Sequence, residues 1–482
     1  MITSISEAEK FVSGLQSEEA KTNLKFLNGD HWQEGTGWIG ATATKGSEYE
    51  AIFNAKLARQ FVPSDVIGDV LSTAVNGAIG RAPEWSLAGS DDKTLIQQAT
   101  DLLKKWLIEE KAHSEIKRAG KHALATKRGA LRLFLDDVQR NDDGLIPQMD
   151  LGEAFDAILL EAPSPDVCGV KGKGKRKRAV CLTGSGNEKS AEYVTVSKNG
   201  ETEISVIQRV KDEEGNTADK AQPWSVDLNK QLTIYEMTTP LLIKKPIQQQ
   251  QRAMNVCNTS MLEAVIDAGF RRIYFLNADT YEVVHNEETG KEQLVAIEMD
   301  TGPGTYTSLA GIPTNGGGEG YTKPDVKTIE PASIEIFVKA KKELRESVYR
   351  EVSQEFRSFI GNRLGSDTLS QWRGTFVDTL DDLQTEMVNV YTWLLPTVLK
   401  LAATLSGEDD KFDGLSLVVK GSGEKKGKNK TDKIKEVLTA WEKGLISRQT
   451  ALEMCGIDPA EEVERIRSEV RTPDSDKRKS GE

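Results

Sequence analysis

The feature that most constrains the fold of this chain is a pair of long helical patterns that enclose a segment of strand patterns. Residues 246–269 read PIQQQQRAMNVCNTSMLEAVIDAG, with Pro246 in the first turn and Gly269 at the end, where helices favour these residues. A second pattern, about 332–358, has apolar residues three or four places apart and mixed charges on its other face. The segment between them, 270–331, holds three strand-like runs and a Gly/Pro-rich stretch. We therefore predict a projecting helical hairpin with a small module at its tip.

The rest of the chain alternates between helical and strand periodicity. Apolar residues recur at helical spacing over 5–27, 54–80 and 91–126. Residues 129–242 instead form short runs rich in β-formers, bounded by Gly, Asn, Asp and Pro. The dipeptide Asn199-Gly200 between two such runs predicts a tight type I′ hairpin turn. The predicted fold class is α+β.

The C-terminal third contains the longest helical pattern. It covers about 367–405, which would span about 58 Å at 1.5 Å per residue. Pro396 lies inside this pattern and predicts a kink. A strand-like run and a basic, Gly-rich linker at 421–431 follow it, and then further helical patterns. The final residues, 471–482, are polar and are expected to be disordered.

The sequence lacks the motifs of several enzyme classes. It contains no GxxxxGK[ST] phosphate-binding loop, no GxSxG elbow and no HExxH. Its four cysteines are scattered without a CxxC, and its four histidines lack ligand spacing. His113 and His122 lie in a Lys/Glu-rich helical stretch, so both are expected to be solvated. We expect no enzyme activity, no catalytic residue, no metal site, no cofactor and no disulfide framework.

No segment has the composition of a leader peptide or a membrane span. The N-terminal residues MITSISEAEKF are polar and acidic. The most apolar run, Tyr391–Leu405, is interrupted by Pro396 and Lys400 and is shorter than the roughly 20 residues that a span needs. We expect a protein of the reducing cytoplasm with no membrane partner.

Charge limits how the chain can meet nucleic acid. The formal net charge is -12, and hydrophobic residues make up only 38% of the sequence against 29% charged residues. This argues against a protein that grips nucleic acid with its whole surface, although DNA could still slide past it. The exception is Lys171–Arg178, with six cations in eight residues between two strand patterns. It is either a solvated hairpin tip or a contact with nucleic acid. Such a contact could grip only phosphates, because no interleaved aromatic residue is present to stack bases.

Four groups of segments resemble the portal proteins of tailed bacteriophages. Each is a weak signal alone, but their order and spacing cover nearly the whole chain. The loop Lys171–Arg178 has no counterpart in the resemblance. The segments are LKFLNGDHWQ with the later GRAPEW, TPLLIKKPIQQQQRAMNVCNTSML, FRSFIGNRLGSDTLSQWRGTFVDTLDDL and AWEKGLISRQTALEMCGIDPAEEVERIRSE.

The resemblance implies a mainly helical portal fold with wing, stem, clip and crown regions, a long kinked helix and a β-rich wing segment. By position, the regions would be a wing at 1–245, a first stem helix at 246–269, a clip at 270–331, a second stem helix at 332–358, a tunnel loop at 359–367, a long wing helix and linker at 368–430, a crown at 431–470 and a disordered tail at 471–482.

The resemblance also implies a function. Portal proteins form a ring, usually of twelve copies, at one vertex of the capsid, and double-stranded DNA is packaged and ejected through its channel. Partners would be further copies of the chain, the terminase large subunit, a neck or head–tail adaptor, and the major capsid and scaffolding proteins. The location would be the virion and, during assembly, the host cytoplasm. The alternatives are a head–tail adaptor or minor capsid protein without a DNA channel, a motor subunit or nuclease, and a nucleic-acid-binding protein that uses the basic loop.

A mostly negative channel wall lets DNA slide, and a few cations in it could slow backflow. The resemblance places five cations near the channel, and these are the candidates for slowing backflow of DNA. The alternative, left open, is that they pair with Glu343, Glu346 or Glu351 of neighbouring subunits. The candidates are Lys339, Lys341, Lys342, Arg357 and Arg363.

Overall fold

The computed structural model is a mixture of helices and strands, which confirms the α+β class. It divides the chain into two compact units. The first consists of Met1–Gln16, Ser72–Pro240 and Val352–Glu482, and the second of Ser17–Leu71 and Leu241–Glu351. The structure describes residues 2–30, 61–135, 148–211, 217–269, 273–277, 281–286, 291–296, 312, 322–328, 333–358, 374–420, 437–439 and 441.

The helices of the described residues fall in both units. They are α1 (Ile5–Ser13), α2 (Glu18–Asn28), α3 (Val66–Ile79), α4 (Lys93–Glu109), α5 (Ala112–Thr126), α6 (Leu151–Asp156), α7 (Lys245–Gly269), α8 (Ile334–Glu351) and α9 (Asp381–Leu405).

The strands confirm the β-rich segment and the strand-like runs between the two long helices. They are β1 (Glu84–Ala88), β2 (Arg128–Leu135), β3 (Ile158–Glu161), β4 (Cys168–Lys171), β5 (Arg178–Thr183), β6 (Ser190–Val196), β7 (Thr202–Lys211), β8 (Thr217–Val226), β9 (Ile234–Thr238), β10 (Ile273–Leu276), β11 (Tyr281–Asn286), β12 (Lys291–Ala296), β13 (Asp325–Thr328) and β14 (Ser416–Lys420).

The first unit is built around two antiparallel sheets. One has the order β4-β5-β6-β7-β8 and the other β3-β2-β9, and a separate pair joins β1 to β14. Helix α1 packs against the five-stranded sheet through Ile5 and Val12. Their partners in this buried cluster are Val180, Tyr193 and Ile207. Strands β2, β5 and β6 are buried along most of their length, which accounts for their short runs of β-forming residues bounded by turn residues in the sequence.

Helix α9 lies in the core of the first unit. The Trp393 indole Nε1 donates to the Leu232 carbonyl at 2.8 Å, and the Trp393 side chain is buried. Within the described part of the chain, α9 alone is long and apolar enough to cross a bilayer, but 67% of that stretch is buried inside the fold. Burial by its own unit accounts for the apolar composition of α9.

Among the described residues, the second unit contains α2, the start of α3, α7, α8 and four short strands. Strand β10 pairs with β13 and β11 with β12, both antiparallel. Helix α7 begins one residue before Pro246 and ends at Gly269, as the sequence punctuation predicts. The predicted arrangement of helix, strand module and helix is confirmed at the level of these elements.

Several predicted helices are interrupted. The pattern at 5–27 forms two helices, because Ser17 accepts a hydrogen bond from the Ala20 amide and starts α2. The pattern at 91–126 likewise forms α4 and α5, separated at Lys111, whose φ is 48°. The predictions of single helices were wrong because apolar periodicity continues across both breaks.

The two later helices are also shorter than predicted. Helix α8 ends at Glu351 rather than near 358, and Ser353 takes a positive φ of 56° before a short 3₁₀ turn. The predicted helix of about 58 Å is wrong as well. Residues 374–378 are helical, a turn follows, and α9 begins at Asp381, so its 25 residues span about 38 Å. Pro396 lies within α9 as predicted.

Two local predictions were also wrong. His122 is buried and His113 is half-buried, because the face of α5 that carries His122 packs into the first unit. The Asn199-Gly200 turn is not type I′, since only Gly200 has a positive φ, of 99°. Ser197 pairs with Glu201 across a three-residue loop, in which glycine takes the left-handed position.

The division into wing, stem, clip, tunnel loop and crown stays a prediction. The tunnel loop at 359–367, the linker at 421–430 and the tail at 471–482 lie outside the described residues. Nearly all of the crown at 431–470 and much of the clip at 270–331 also lie outside them.

Candidate functional site

Helix α7 carries a buried polar stripe in place of the usual apolar one. Its members recur every three or four residues, so they lie on one face of the helix. Each of them is at most 5% exposed, although all have polar side chains that water would solvate well. Most buried polar groups find hydrogen-bond partners inside the protein, although the Asn255 Nδ2 and the Asn258 Oδ1 have none among the described residues. The stripe consists of Gln248, Gln251, Asn255, Asn258 and Thr259.

Gln251 and Asn255 bind the backbone that leads into α3. The Val66 and Ile67 amides donate to the Gln251 Oε1 at 3.0 and 3.2 Å. These amides lie in the first turn of a helix, where no intrahelical acceptor exists. The Ser64 amide donates to the Asn255 Oδ1 at 2.7 Å, and the Ser64 carbonyl accepts from the Gln251 Nε2. Gln251 therefore caps α3 from a distant helix.

The residues at both ends of the polar stripe on α7 also form hydrogen bonds with other segments of the second unit. The Val62 amide donates to the Thr259 Oγ1 at 3.2 Å. Toward the start of α7, the Gln248 Nε2 donates to the Asn23 Oδ1 at 2.7 Å, and the Asn23 Nδ2 donates to the Ile243 carbonyl at 2.8 Å. The stripe thus fixes an irregular segment and α2 on one helix face by hydrogen bonds.

Helices α7 and α8 are antiparallel neighbours within the second unit. The Gln250 Nε2 near the start of α7 donates to the Ser347 Oγ at 3.0 Å and to the Glu351 Oε1 at 2.7 Å, both near the end of α8. Farther along, burial raises the pKa of the Cys257 thiol, and the nearby Lys341 ammonium partly offsets that effect. The two helices therefore run side by side with the strand module between them in sequence.

The C-terminal half of α8 is tied to α3 by a polar cluster. The Tyr349 hydroxyl donates to the Asp69 Oδ2 at 3.0 Å and accepts from the Arg345 Nε at 2.7 Å. The Arg345 Nη2 lies 3.5 Å from the same carboxylate oxygen. Tyr349 and Val348 are buried, so this half of the helix belongs to the core of the second unit.

The N-terminal half of α8 has the opposite character, because its apolar residues are exposed. Ile336 is 65% exposed and Val338 is 53% exposed, and Ile334 is also exposed. Ile334 and Val338 are four residues apart and share a helix face, whereas Ile336 lies on a different side of the helix. This half of the helix therefore presents apolar surface on more than one side. Val265 near the end of α7 is exposed as well.

Three of the candidate channel cations lie together on α8. Lys339 and Lys342 are exposed and three residues apart, which places them on neighbouring positions of one face, and Lys341 is half-buried. The Lys342 Nζ lies 4.0 Å from the Glu346 Oε1 of the same chain, with the lysine side chain 76% exposed. An ion pair so open to solvent contributes little to stability.

The other two candidates lie elsewhere. Arg357 is in the 3₁₀ turn after α8, in the first unit, where its Nη1 donates to the Thr73 Oγ1 at 2.6 Å. Arg363 lies outside the described residues. The role of all five cations toward DNA stays a prediction.

A basic cleft in the first unit is the other concentration of charge. It has a volume of about 670 Å³ and lies between the β4–β5 hairpin and the turn at Asn229 and Lys230. Lys171 and Lys177 line it from the hairpin, and Arg128 lines it from β2. The predicted exposed tip at Lys171–Arg178 is confirmed as a hairpin loop.

The sequence reasoning missed the role of two groups of residues. The spacing of Gln248, Gln251, Asn255 and Thr259 is itself a helical stripe, and reading it with polar residues in place of apolar ones would have indicated a buried polar face. Nothing in the sequence indicated that Lys230 lines the same cleft as the basic loop, since more than fifty residues separate them.

Comparison with known proteins gives little further identification. No protein-family model matches the chain, and no curated protein matches it. The chain is similar to a chain in the solved structure described as "Neck of empty GTA particle computed with C6 symmetry", with 12% identity and a TM-score of 0.36, over 87% of this chain and 97% of that one. At this identity and TM-score, the similarity establishes neither a shared fold nor a shared function.

Proposed function

We propose that the chain is a portal protein of a tailed bacteriophage. It would form a ring, usually of twelve copies, at one vertex of the capsid, with a channel for DNA packaging and ejection. The observation that carries the proposal is the excursion from α7 through the strands β10–β13 to α8, in which the chain leaves along one long helix and returns along its antiparallel neighbour. The ordered resemblance of the sequence segments to portal proteins supports the same assignment.

Exposed apolar surface on α8 supports assembly into a ring. Ile336 and Val338 lie on different sides of the helix, and both are more than half exposed in the single chain. Apolar surface on two sides of one helix is covered efficiently when neighbouring copies flank it on both sides, as they do in a closed ring. The low hydrophobic fraction of the chain, 38%, is in keeping with a protein that completes its packing between copies.

Charge supports the passage of DNA. Twelve copies at -12 each would carry about -144, and duplex DNA carries one negative charge per about 1.7 Å. A predominantly negative wall repels the duplex and lets it slide. Lys339, Lys341, Lys342, Arg357 and Arg363 would then be the sparse cations that slow backflow.

The proposal includes a set of partners. The ring would dock the terminase large subunit during packaging and the neck or head–tail adaptor afterwards, and it would contact the major capsid and scaffolding proteins at the vertex. It would reside in the virion and, during assembly, in the host cytoplasm. It assigns no catalysis to this chain, so the purified ring alone should hydrolyse no ATP.

A DNA-retention assay tests the role of the α8 cations. The Lys339→Ala and Lys342→Ala double variant removes two exposed charges, of which, among the described residues, only the second has a weak partner, Glu346. We expect normal rings and normal entry of DNA, but faster loss of packaged DNA from stalled particles. The matched control is Lys104→Ala, an exposed lysine on α4. Equal retention in the double variant, the control and the unmodified protein would exclude the cations from DNA retention and favour pairing with glutamates of neighbouring copies.

A further inference from the structure

The basic cleft of the first unit is formed by two loops that are far apart in sequence. Lys171 and Arg178 are paired across the β4–β5 hairpin, and the loop between them contains a short 3₁₀ turn. Gly172 has a φ of 101°, and a Cβ atom there would lie 2.3 Å from the Arg176 carbonyl oxygen. Because only glycine fits this position, the loop has a defined shape rather than that of a free chain. Lys230, in the turn after β8, closes the opposite side of the cleft.

The lysines of the cleft are free to bind a ligand, whereas its arginine is not. The Arg128 Nε donates to the Glu236 Oε1 at 3.0 Å, its Nη2 to the Val170 carbonyl at 2.6 Å, and its Nη1 to the Leu15 carbonyl at 3.3 Å. By contrast, the exposed ammonium groups have no hydrogen-bond or ion-pair partner among the described residues. They belong to Lys171, Lys177 and Lys230.

The carboxylate of Glu236, which lines the cleft, is also engaged in hydrogen bonds. The Glu236 Oε2 accepts from the Val170 amide at 2.8 Å while its other oxygen accepts from Arg128. Burial raises the pKa of Glu236, and Arg128, the Val170 amide and Lys177 partly offset the rise. The lysines therefore present an excess of positive charge to an incoming ligand.

The aromatic residues of the cleft are committed to the fold. The Tyr235 hydroxyl donates to the Glu386 Oε2 at 3.2 Å, and the Trp393 indole donates to the Leu232 carbonyl at 2.8 Å. The two aromatic rings lie against each other, with centroids 5.2 Å apart. A site without a free aromatic face cannot stack bases, so it would read backbone charge rather than base identity.

We propose that this cleft and the adjoining loop form a binding site for the phosphodiester backbone of DNA, independent of base sequence. Lysine ammonium groups bind phosphate as point charges, and the exposed guanidinium groups of Arg176 and Arg178 in the adjoining loop also suit phosphate, whereas Arg128 is already engaged. A single small anion would need only the cleft lysines. The sixteen residues Cys168–Thr183 carry six cations and no acid, which matches a ligand with repeated charges. The proposal rests on contacts within the first unit and does not depend on the portal assignment.

The test is a binding titration of the full chain with a fluorescent 20-base-pair duplex at several salt concentrations. The Lys177→Gln and Lys230→Gln double variant removes two phosphate contacts from exposed positions. We expect affinity to fall by at least about tenfold at 50 mM salt, and the slope of log K against log salt to become shallower by about 1.8. Duplexes of unrelated sequence should bind the unmodified protein equally well.

A charge-matched control separates the site from general electrostatics. The Lys104→Gln and Lys220→Gln double variant removes the same charge from exposed positions on α4 and β8, and we expect it to bind like the unmodified protein. Thermal unfolding of both variants should match that of the unmodified protein. Equal weakening in the control, or no binding by the unmodified protein, would overturn the proposal.

Two competitors identify the ligand chemistry. Inorganic phosphate at matched ionic strength should fail to displace the duplex, because it engages only the cleft. Polyglutamate at equal charge concentration should displace it less than unlabelled duplex does. Displacement by polyglutamate as effective as that by DNA would show a site for acidic protein segments instead, and displacement by inorganic phosphate would reduce it to a single-anion site.

Discussion

Replacing Gln251 by alanine should destabilise the second unit far more than its single side chain suggests. Gln251 is 1% exposed, and its Oε1 is the acceptor for the Val66 and Ile67 amides. Its Nε2 also donates to the Ser64 carbonyl and to the Asn255 Oδ1. Alanine leaves these groups without partners in a site from which water is excluded.

The magnitude follows from the number of orphaned groups. A buried donor or acceptor left without its partner costs about 1–3 kcal/mol, and loss of a helix cap costs about 0.5–2 kcal/mol. With two amides and one carbonyl affected, and some relaxation, we expect about 3 kcal/mol. Gln249→Ala is the matched control, because Gln249 is exposed on the same helix and its side chain makes no hydrogen bond to the described residues. It should change stability by less than about 0.5 kcal/mol.

Hydrogen exchange measured by mass spectrometry gives a local readout. Peptides that cover 62–71 should exchange about a hundredfold faster in Gln251→Ala, since each 1.4 kcal/mol is a factor of ten. Urea unfolding followed by circular dichroism should show a lower midpoint in the same variant. If exchange at 62–71 is unchanged, or if both variants behave alike, Gln251 does not cap α3 and the polar-stripe interpretation is wrong.

Two further predictions concern buried ionisable groups of the first unit. Burial, with Arg118 nearby, lowers the pKa of His122 to about 4, below its value of about 6.5 in the unfolded chain, so the unfolded state takes up the proton first as pH falls. Stability should therefore decline by about 2 kcal/mol between pH 7 and pH 5, and urea midpoints of His122→Gln should lose most of that dependence. Glu192→Gln removes the charge that accepts from the buried Arg132 Nε at 2.6 Å and should cost about 3 kcal/mol, whereas an unchanged urea midpoint would contradict this account of the ion pair.

The sequence predicted elements best where local chemistry marks their ends. Pro246 and Gly269 bound α7 almost as the structure has it, because both residues act on the backbone at their own positions. The strands of 129–242 were also predictable, because short runs of β-forming residues are bounded there by Gly, Asn, Asp and Pro.

The breaks inside helices were not predictable from apolar spacing. Val352, Phe376 and Leu380 are buried and continue the stripes of their neighbouring helices, although turns intervene at Ser353 and at 379–380. Tertiary packing, not local periodicity, brings these side chains into one core, so the pattern looks continuous where the backbone is not.

The candidate sites show the same limit. The charge of Lys171–Arg178 was evident from composition, but its cleft depends on Lys230 and Arg128, which only the fold brings near. His122 was misread because the charged residues around it line the other face of α5 while its own face is buried.

Electron microscopy of the purified protein tests the central claim most directly. Averages viewed along the symmetry axis should show a closed ring, close to twelve copies, with a central hole wide enough for a DNA duplex. A chain that remains monomeric at every concentration, or that assembles without a passage for DNA, would contradict the portal assignment.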